Sequence, residues 1–171
     1  MEAVETKEQA TGQSKGTVKI TICKSLSGIA EGAELVHQEF EKQIKELEAN
    51  AELGAGGCSM GQVGCRGYCS KDVLVDVYVP GQDPVTYEKV KPEMVVKILK
   101  DHVIGGKIFK KAAAKDDYYE NLKKQQRVVL EFGGKIDPES IDEYIEVGGY
   151  SGLKKALQMK PSDIIEDIIA S

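Results

Sequence analysis

The sequence predicts an α/β protein in which the element order β-α-β-β-β-α is followed by a short, mainly helical tail. Three observations predict this fold class. Residues 17–22 and 73–79 are rich in β-branched residues, which favour strands. Apolar residues at three- and four-residue steps indicate a helix at about residues 29–48, and Pro92 is a typical first residue of a second helix. Strands that alternate with helices in this way are typical of α/β domains.

The first strand leads directly into a cysteine. Residues 17–22 alternate β-branched residues with Lys19, and the next residue is Cys23. The helix that follows has its apolar face at Ala33, Val36, Phe40, Ile44 and Leu47. Residues 49–64 contain five glycines, which disfavour helix and suit tight turns or the close approach of backbone to a bulky group. The short second strand of the predicted order has no clear position in this stretch.

The second half of the predicted domain is a hairpin and a helix. Residues 73–79 (VLVDVYV) have the strongest strand pattern, and PGQDP at residues 80–84 is a turn signal. Residues 85–90 provide the partner strand. The helix from Pro92 has an apolar face made of Met94, Val95, Ile98, Leu99 and Val103.

Charge and periodicity divide the chain into four predicted segments. Residues 1–15 are polar and are interpreted as a flexible leader, and residues 16–111 form the α/β domain. Residues 112–126 are charged and lack apolar periodicity, which indicates a linker. Residues 127–171 form the tail.

The tail has predicted elements but little room for a core of its own. A short strand is expected at residues 127–131, and helices are expected at about residues 137–147, 151–159 and 162–169. Because segments of about 40 residues seldom fold alone, the tail should pack on the first domain, on a partner chain or on a continuation of the chain.

Composition and charge exclude several functions. The formal net charge is -5, and no basic stripe is present, so nucleic-acid binding is not expected. No apolar stretch approaches the roughly 20 residues that cross a bilayer, so no direct membrane insertion is expected. The polar N-terminus does not resemble a secretory signal, which predicts a cytoplasmic protein.

The cysteines are the residues that indicate chemistry. Cys58, Cys65 and Cys69 lie within GCSMGQVGCRGYC, residues 57–69, and Cys23 lies upstream. In a reducing compartment, clustered thiols are more often metal ligands or catalytic thiols than disulfides. Thiolates suit zinc and iron-sulfur clusters, and Gly64 and Gly67 would let backbone N–H groups approach sulfur. Buried free cysteines and a structural zinc site are the alternatives, whereas a redox Cys-x-x-Cys pair is absent from the sequence.

A family resemblance rests on these motifs. The strand before Cys23, the VGCRGYC loop, the VLVDVYVPG strand and the YEKVKPEMVVKIL helix together resemble the thioredoxin-like 2Fe-2S ferredoxin domain. That domain occurs as the small cluster-carrying subunit of bacterial respiratory complex I. It is also fused to the flavin-binding, NADH-oxidising subunit of multimeric hydrogenases and formate dehydrogenases. The tail, QQRVVLEFGGKIDPESIDEYIEVGGYSGLKKALQMKPSDIIEDIIAS, is similar to the start of that flavin subunit.

The resemblance implies a 2Fe-2S cluster, with one departure from the family pattern. Cys23, Cys65 and Cys69 match three of its ligands, but the second position of the first loop is Gly28. Our hypothesis is that Cys58, in a mobile Gly-rich run, replaces the missing thiolate. The predicted metal and cofactor ligands are therefore Cys23, Cys58, Cys65 and Cys69. The alternative is a cluster-free thioredoxin-like scaffold or interaction subunit.

The resemblance also implies a place in a larger complex. The chain ends before the family's flavin and NADH site, so FMN and NADH are not expected on it and it should not be catalytic alone. It is expected to transfer electrons within an NADH-linked multisubunit oxidoreductase, with other redox subunits as partners. Arg66 and Tyr68 are expected to stabilise the charged cluster or to dock a partner. His37 and His102 have no second ligand at helical spacing and are expected at the surface or the boundary of the core.

Overall fold

The computed structural model describes residues 16–53 and 56–171, so the predicted leader lies outside the described residues. Its four strands form one sheet in the order β2-β1-β3-β4, with β1 at Val18–Cys23, β2 at Cys58–Val63, β3 at Val75–Tyr78 and β4 at Val85–Tyr87. Strand β2 pairs with β1 in parallel, and the other two pairings are antiparallel. The predicted order of elements in the domain is confirmed, and β2 lies in the Gly-rich stretch.

The predicted first helix is two helices. Helix α1 spans Leu26–Ala30 and helix α2 spans Ala33–Ala49. They are separated at Gly32, whose φ of 93° lies in the left-handed region that favours glycine. Helix α3 spans Pro92–Lys97 and continues as a π-helical segment at Ile98–Ile104.

One face of the sheet carries the hydrophobic core. Ile20 and Ile22 of β1 and Val75 and Val77 of β3 alternate along their strands and are fully buried. The buried face of α2 packs on them together with α3, as the apolar periodicity predicts. The core residues on these two helices are Ala33, Val36, Phe40, Ile44, Leu47 and Val95.

The opposite face of the sheet is polar and is covered by a segment that we predicted to be a linker. Thr21, Asp76 and Thr86 are neighbours on this face and are all buried. Helix α4, at Asp116–Lys123, lies against it through the buried Tyr118. The linker prediction for residues 112–126 was wrong because the apolar face of α4 consists mainly of tyrosines between charged residues, which gives little aliphatic periodicity.

The tail contains three short helices, α5 at Ile141–Glu146, α6 at Ser151–Ala156 and α7 at Pro161–Ala170. The prediction of a strand at residues 127–131 is wrong, because these residues form irregular structure and turns. Helix α5 begins later than predicted because Ser140 provides its N-cap and accepts a hydrogen bond from the Glu143 N–H. Many apolar side chains of these helices are exposed, including Ile141, Leu153, Leu157, Ile165, Ile168 and Ile169.

In the described part of the chain, no helix combines the length and the apolar character that a membrane span requires.

His102 is part of the core, which corrects the expectation of a surface or boundary position. It is 1% exposed, and its Nδ1 lies 2.9 Å from the Tyr87 hydroxyl. That hydroxyl accepts a hydrogen bond from the Phe109 N–H at 3.3 Å, so its own proton is available for Nδ1. Nε2 then carries the proton of the neutral ring, and it has no hydrogen-bond partner among the described residues. Burial lowers the pKa of His102.

We predict that acid destabilises the protein through His102. Below the ordinary histidine pKa of 6.5, the unfolded chain binds a proton that the folded chain excludes, so stability falls as the pH falls through that window. The contribution of one proton is at most about 1.4 kcal/mol per pH unit. In urea unfolding at pH 7.5 and pH 5.5, His102→Gln should lose less stability on acidification than the wild type.

The control for this prediction is His37→Gln, which removes the other imidazole from a partly exposed position on α2. It should behave as the wild type. Equal losses of stability in the wild type and in His102→Gln would contradict the prediction.

Candidate metal centre

Two thiols face each other in the loop between β2 and β3, which we call the second cysteine loop (residues 64–72). The Sγ atoms of Cys65 and Cys69 are 3.5 Å apart. Two thiolates on one tetrahedral metal, with bonds of about 2.3 Å, are separated by about 3.8 Å. The Gly67 N–H donates to the Cys65 sulfur at 3.3 Å, as the glycine pattern predicts, and Gly67 has a φ of 87°. This pair is already close to the spacing that one metal ion requires.

Cys23 lies beside the same loop. It is the last residue of β1, is 1% exposed, and its thiol donates to the Gly64 carbonyl at 3.9 Å. Burial raises the pKa of the Cys23 thiol, and the negative charge of Asp72 adds to the rise. The carboxyl end of β1 therefore brings Cys23 to the loop that carries Cys65 and Cys69.

Hydrogen bonds join the second cysteine loop to residues 24–30. This segment directly follows Cys23 and includes helix α1, and we call it the first cysteine loop. The Ser25 hydroxyl donates to Asp72 Oδ2 at 3.1 Å, and the Ser27 hydroxyl donates to the Cys69 carbonyl at 3.2 Å. Ser25 is also the N-cap of α1, where it accepts from the Gly28 N–H at 3.1 Å. The two loops are thus fixed to each other next to the thiols.

Asp72 is a residue of this site that the sequence did not reveal. It closes the short 3₁₀ turn that begins at Cys69, and it is 6% exposed. The hydrogen bond with Cys65 raises the pKa of Cys69, and the Asp72 charge contributes to that rise. A single aspartate in the run CSKD has no spacing signal, so only the fold shows that its carboxylate lies near Cys23 and Cys69.

The structure does not bring Cys58 to the other three thiols. Cys58 is the first residue of β2 and pairs with Val18, whereas Cys23 pairs with Val63 at the other end of the strand. Five residues of strand correspond to about 16 Å. Burial raises the pKa of the Cys58 thiol to about 12, with a contribution from Glu48. The prediction that Cys58 lies in a mobile Gly-rich run is wrong, because Cys58 is part of β2 and pairs with β1. Its thiol could reach the other three only if β2 separated from β1.

In the part of the chain that the structure describes, no three His, Cys, Asp or Glu side chains are close enough together to hold a metal ion as they stand. The donors do suit a thiophilic metal: two adjacent thiols, a third thiol and a buried carboxylate lie around the two fixed loops.

Comparison with known proteins agrees with this architecture. No protein-family model matches the chain. Two structures of the thioredoxin-like [2Fe-2S] ferredoxin from Aquifex aeolicus each match with a TM-score of 0.50 and 22% identity. One match covers 58% of this chain and 92% of the ferredoxin, and the other covers 59% and 99%. The α/β domain has the thioredoxin-like ferredoxin fold.

One curated relative matches a shorter part of the chain. The NADP-reducing hydrogenase subunit HndC of Solidesulfovibrio fructosivorans is 50% identical over 44 residues. The match covers 26% of this chain, and it spans only 9% of the length of that relative.

In this ferredoxin-like domain, residue 28 has no room for a side chain. A Cβ at Gly28 would overlap with the carbonyl oxygen of Cys23, which is a backbone atom. Helix α1 therefore closes tightly on the end of β1. At the position where the family resemblance implies a second cysteine, tight backbone packing leaves no space for a side chain.

The tail covers the second cysteine loop. A Cβ at Gly133 would overlap with the Cys65 carbonyl, and a Cβ at Gly67 would lie 3.4 Å from the Leu130 side chain. Gln62, just before the loop, donates to the Asp137 carboxylate at 3.2 Å. The segment around residues 130–137 thus packs on the first domain, while much of the apolar surface of α5–α7 remains exposed.

Arg66 anchors the second cysteine loop to the sheet, a different role from the cluster or partner contact that we expected. Its guanidinium makes a bidentate ion pair with Asp76 of β3, and both side chains are buried. It also donates to the Tyr118 hydroxyl at 3.2 Å, and the Thr86 hydroxyl donates to Asp76 at 2.6 Å. The Tyr68 ring packs against the Tyr118 ring at an angle of 38°, with ring centroids 4.8 Å apart.

We predict that Gly28→Ala destabilises the protein by roughly 1–3 kcal/mol, because the new methyl group overlaps with backbone that cannot move without distorting β1. Gly61→Ala is the control, since a Cβ at that position would make only ordinary contacts, the closest at 3.6 Å. It should change stability by no more than about 0.5 kcal/mol. Urea unfolding of both variants checks this, and equal effects would contradict the tight closure at Gly28.

We predict that Arg66→Met costs roughly 3–5 kcal/mol of unfolding free energy, because it leaves the Asp76 carboxylate buried without its cation. The double variant Arg66→Met with Asp76→Leu should recover part of that loss, since neither charge is then buried. Thermal and urea unfolding of the single and double variants provide the test. A loss below about 1 kcal/mol in the single variant would mean that the pair behaves as a surface ion pair.

Proposed function

We propose that this chain is an electron-transfer module that holds a 2Fe-2S cluster through Cys23, Cys65 and Cys69. The observation that carries the proposal is the placement of these three thiols around two hydrogen-bonded loops at one end of a thioredoxin-like ferredoxin fold. The Aquifex protein with the same fold is a [2Fe-2S] ferredoxin, which supports the same cofactor for this chain. When bound, the cluster supplies a centre that accepts and releases one electron at a time.

The residues of this chain would set the properties of that centre. The Gly67 N–H donates to the Cys65 sulfur, a hydrogen bond of the kind that tunes reduction potential. Cys23 is buried and Cys69 is exposed, so the Cys69 side is the face at which a redox partner can approach. The tail around Gly133 shields the backbone at Cys65 from solvent.

We further propose that the module belongs to an NADH-linked multisubunit oxidoreductase of the hydrogenase, formate dehydrogenase or NADH dehydrogenase type. The hydrogenase subunit that matches 44 residues supports this placement, as does the resemblance of the tail to the start of a flavin subunit. Flavin and NADH would then bind to other parts of the complex. The exposed apolar faces of α5–α7 are suited to contact with such redox subunits.

A cluster-free scaffold is the second candidate, and Gly28 is the observation that favours it. At residue 28, where the resemblance implies a ligand, there is no space for a side chain. The exposed apolar side chains of α5–α7 provide a surface that partners could bind. Both candidates use the same fold and the same partners. They differ in whether the three thiols hold a metal.

We predict that the full chain, purified without oxygen, contains about two irons and two acid-labile sulfides per molecule and shows the visible absorption of a 2Fe-2S cluster. Cys23→Ser, Cys65→Ser and Cys69→Ser should each lose most of the iron and the absorption. Cys58→Ser is the matched control and should retain both, because Cys58 lies at the far end of β2.

Three results would contradict this assignment. About one zinc per chain without iron would indicate a structural zinc site. A folded protein without metal, even after reconstitution with iron and sulfide, would favour the scaffold. Loss of the cluster in Cys58→Ser would restore the hypothesis that Cys58 is the replacement ligand.

A further inference from the structure

The Asp72 carboxylate is buried but only half satisfied. It is 6% exposed, and its Oδ2 accepts one hydrogen bond, from the Ser25 hydroxyl at 3.1 Å. Its Oδ1 is buried and has no hydrogen-bond partner among the described residues. Burying a carboxylate oxygen without a donor or a cation is costly, so such a group in a native structure indicates a missing partner.

The neighbouring cations are paired with other residues. Lys24 of the first cysteine loop pairs with Glu34 at 2.9 Å, and Lys71 pairs with Glu88 at 3.0 Å. Arg66 makes its ion pair with Asp76. Its remaining nitrogen, Nε, is buried without a hydrogen-bond partner among the described residues and lies toward Gly134 of the tail, and it makes no hydrogen bond with Asp72. Within residues 16–53 and 56–171, Asp72 forms no ion pair. The partner of Oδ1 is therefore not a side-chain cation that the structure describes.

The position of Asp72 relative to the thiols suggests what the partner is. Its N–H donates to the Cys69 carbonyl at 3.2 Å, and the Ser25 hydroxyl that donates to its Oδ2 belongs to the residue two positions after Cys23. Two potential thiolates and a carboxylate in one partly buried place repel each other unless a cation lies between them. A metal centre removes this repulsion.

We propose that Asp72 supplies the fourth ligand of the centre held by Cys23, Cys65 and Cys69, in the place of the thiolate that residue 28 cannot provide. This inference rests on the proposed function, because it assigns a ligand to the same metal centre. Cys65 and Cys69 would provide two of its ligands from one loop, and Cys23 and Asp72 would provide the other two. Carboxylate oxygen is a known ligand for metals that thiolates also bind.

The competing explanation is that Asp72 only fastens the two loops through Ser25. In that case Asp72→Asn, which keeps the size and a carbonyl oxygen for the Ser25 hydroxyl, should leave metal binding unchanged. A ligand role requires the negative charge at Oδ1, so the same substitution should weaken binding. The two explanations therefore make opposite predictions for one variant.

The test uses Co²⁺ as a probe, because its visible absorption reports tetrahedral thiolate coordination independently of iron and sulfide. The full chain is stripped of metal, reduced and titrated with Co²⁺. Asp72→Asn should bind Co²⁺ at least about tenfold more weakly than the wild type. Asp72→Cys should bind with affinity close to the wild type and should gain thiolate-to-cobalt absorption in the near ultraviolet.

The matched control is Asp137→Asn. Asp137 is another aspartate beside the second cysteine loop, but its carboxylate accepts from Gln62 at 3.2 Å and from the Glu139 N–H at 2.9 Å. The control should bind Co²⁺ as the wild type does. Circular dichroism of each variant verifies that the fold is retained.

The outcomes separate this inference from the proposed function. Wild-type affinity in Asp72→Asn, or no Co²⁺ binding by the wild-type chain, would overturn the ligand role of Asp72. An iron-sulfur protein whose spectrum is unchanged in Asp72→Asn would keep the relay function and overturn this inference. A wild-type chain that holds no iron but whose Co²⁺ binding depends on Asp72 would support the ligand assignment and overturn the relay function.

Discussion

The buried ion pair between Arg66 and Asp76 fixes the second cysteine loop to the sheet, and the candidate site is built on that attachment. Arg66 directly follows Cys65, so the backbone that carries this thiol cannot move independently of β3. Burial of both charges is costly, and hydrogen bonds from Thr86 and to Tyr118 offset part of that cost. The pair also links the sheet to α4, because Tyr118 belongs to that helix. One interaction thus joins the loop, the polar face of the sheet and the segment that covers it.

The site itself is assembled from three parts of the chain that are far apart in sequence. The end of β1 supplies Cys23, the second cysteine loop supplies Cys65 and Cys69, and the tail packs over that loop through Gly133 and Leu130. The glycines at the contact allow backbone to approach backbone, which larger residues would prevent. The environment of the thiols therefore depends on the tail as well as on the domain.

Local patterns in the sequence predicted what local physics determines. The apolar periodicity of α2 and the β-branched run of β3 were recognisable because each buries one regular face. The proximity of the Cys65 and Cys69 sulfurs was also predictable, since both residues lie in one short loop. Helix α4 and the burial of His102 were missed because they depend on contacts of Tyr118 and Tyr87, which are distant in sequence. Asp72 was missed for the same reason: its neighbours are set by tertiary packing rather than by spacing.

The absence of a ligand at residue 28 and the presence of a carboxylate at residue 72 are physically connected. Because Gly28 has no side chain, α1 can close on the Cys23 carbonyl, and the Gly28 N–H then donates to the Ser25 hydroxyl. That hydroxyl in turn donates to Asp72 Oδ2, which leaves Oδ1 without a hydrogen-bond partner among the described residues. In the proposed centre, a carboxylate carries the same formal charge as the thiolate it replaces. The net charge of the centre, which is one determinant of its reduction potential, is therefore the same as with four thiolates. The softness of the donor atom and the hydrogen bonds would make the reduction potential of this centre differ from that of a centre with four thiolates.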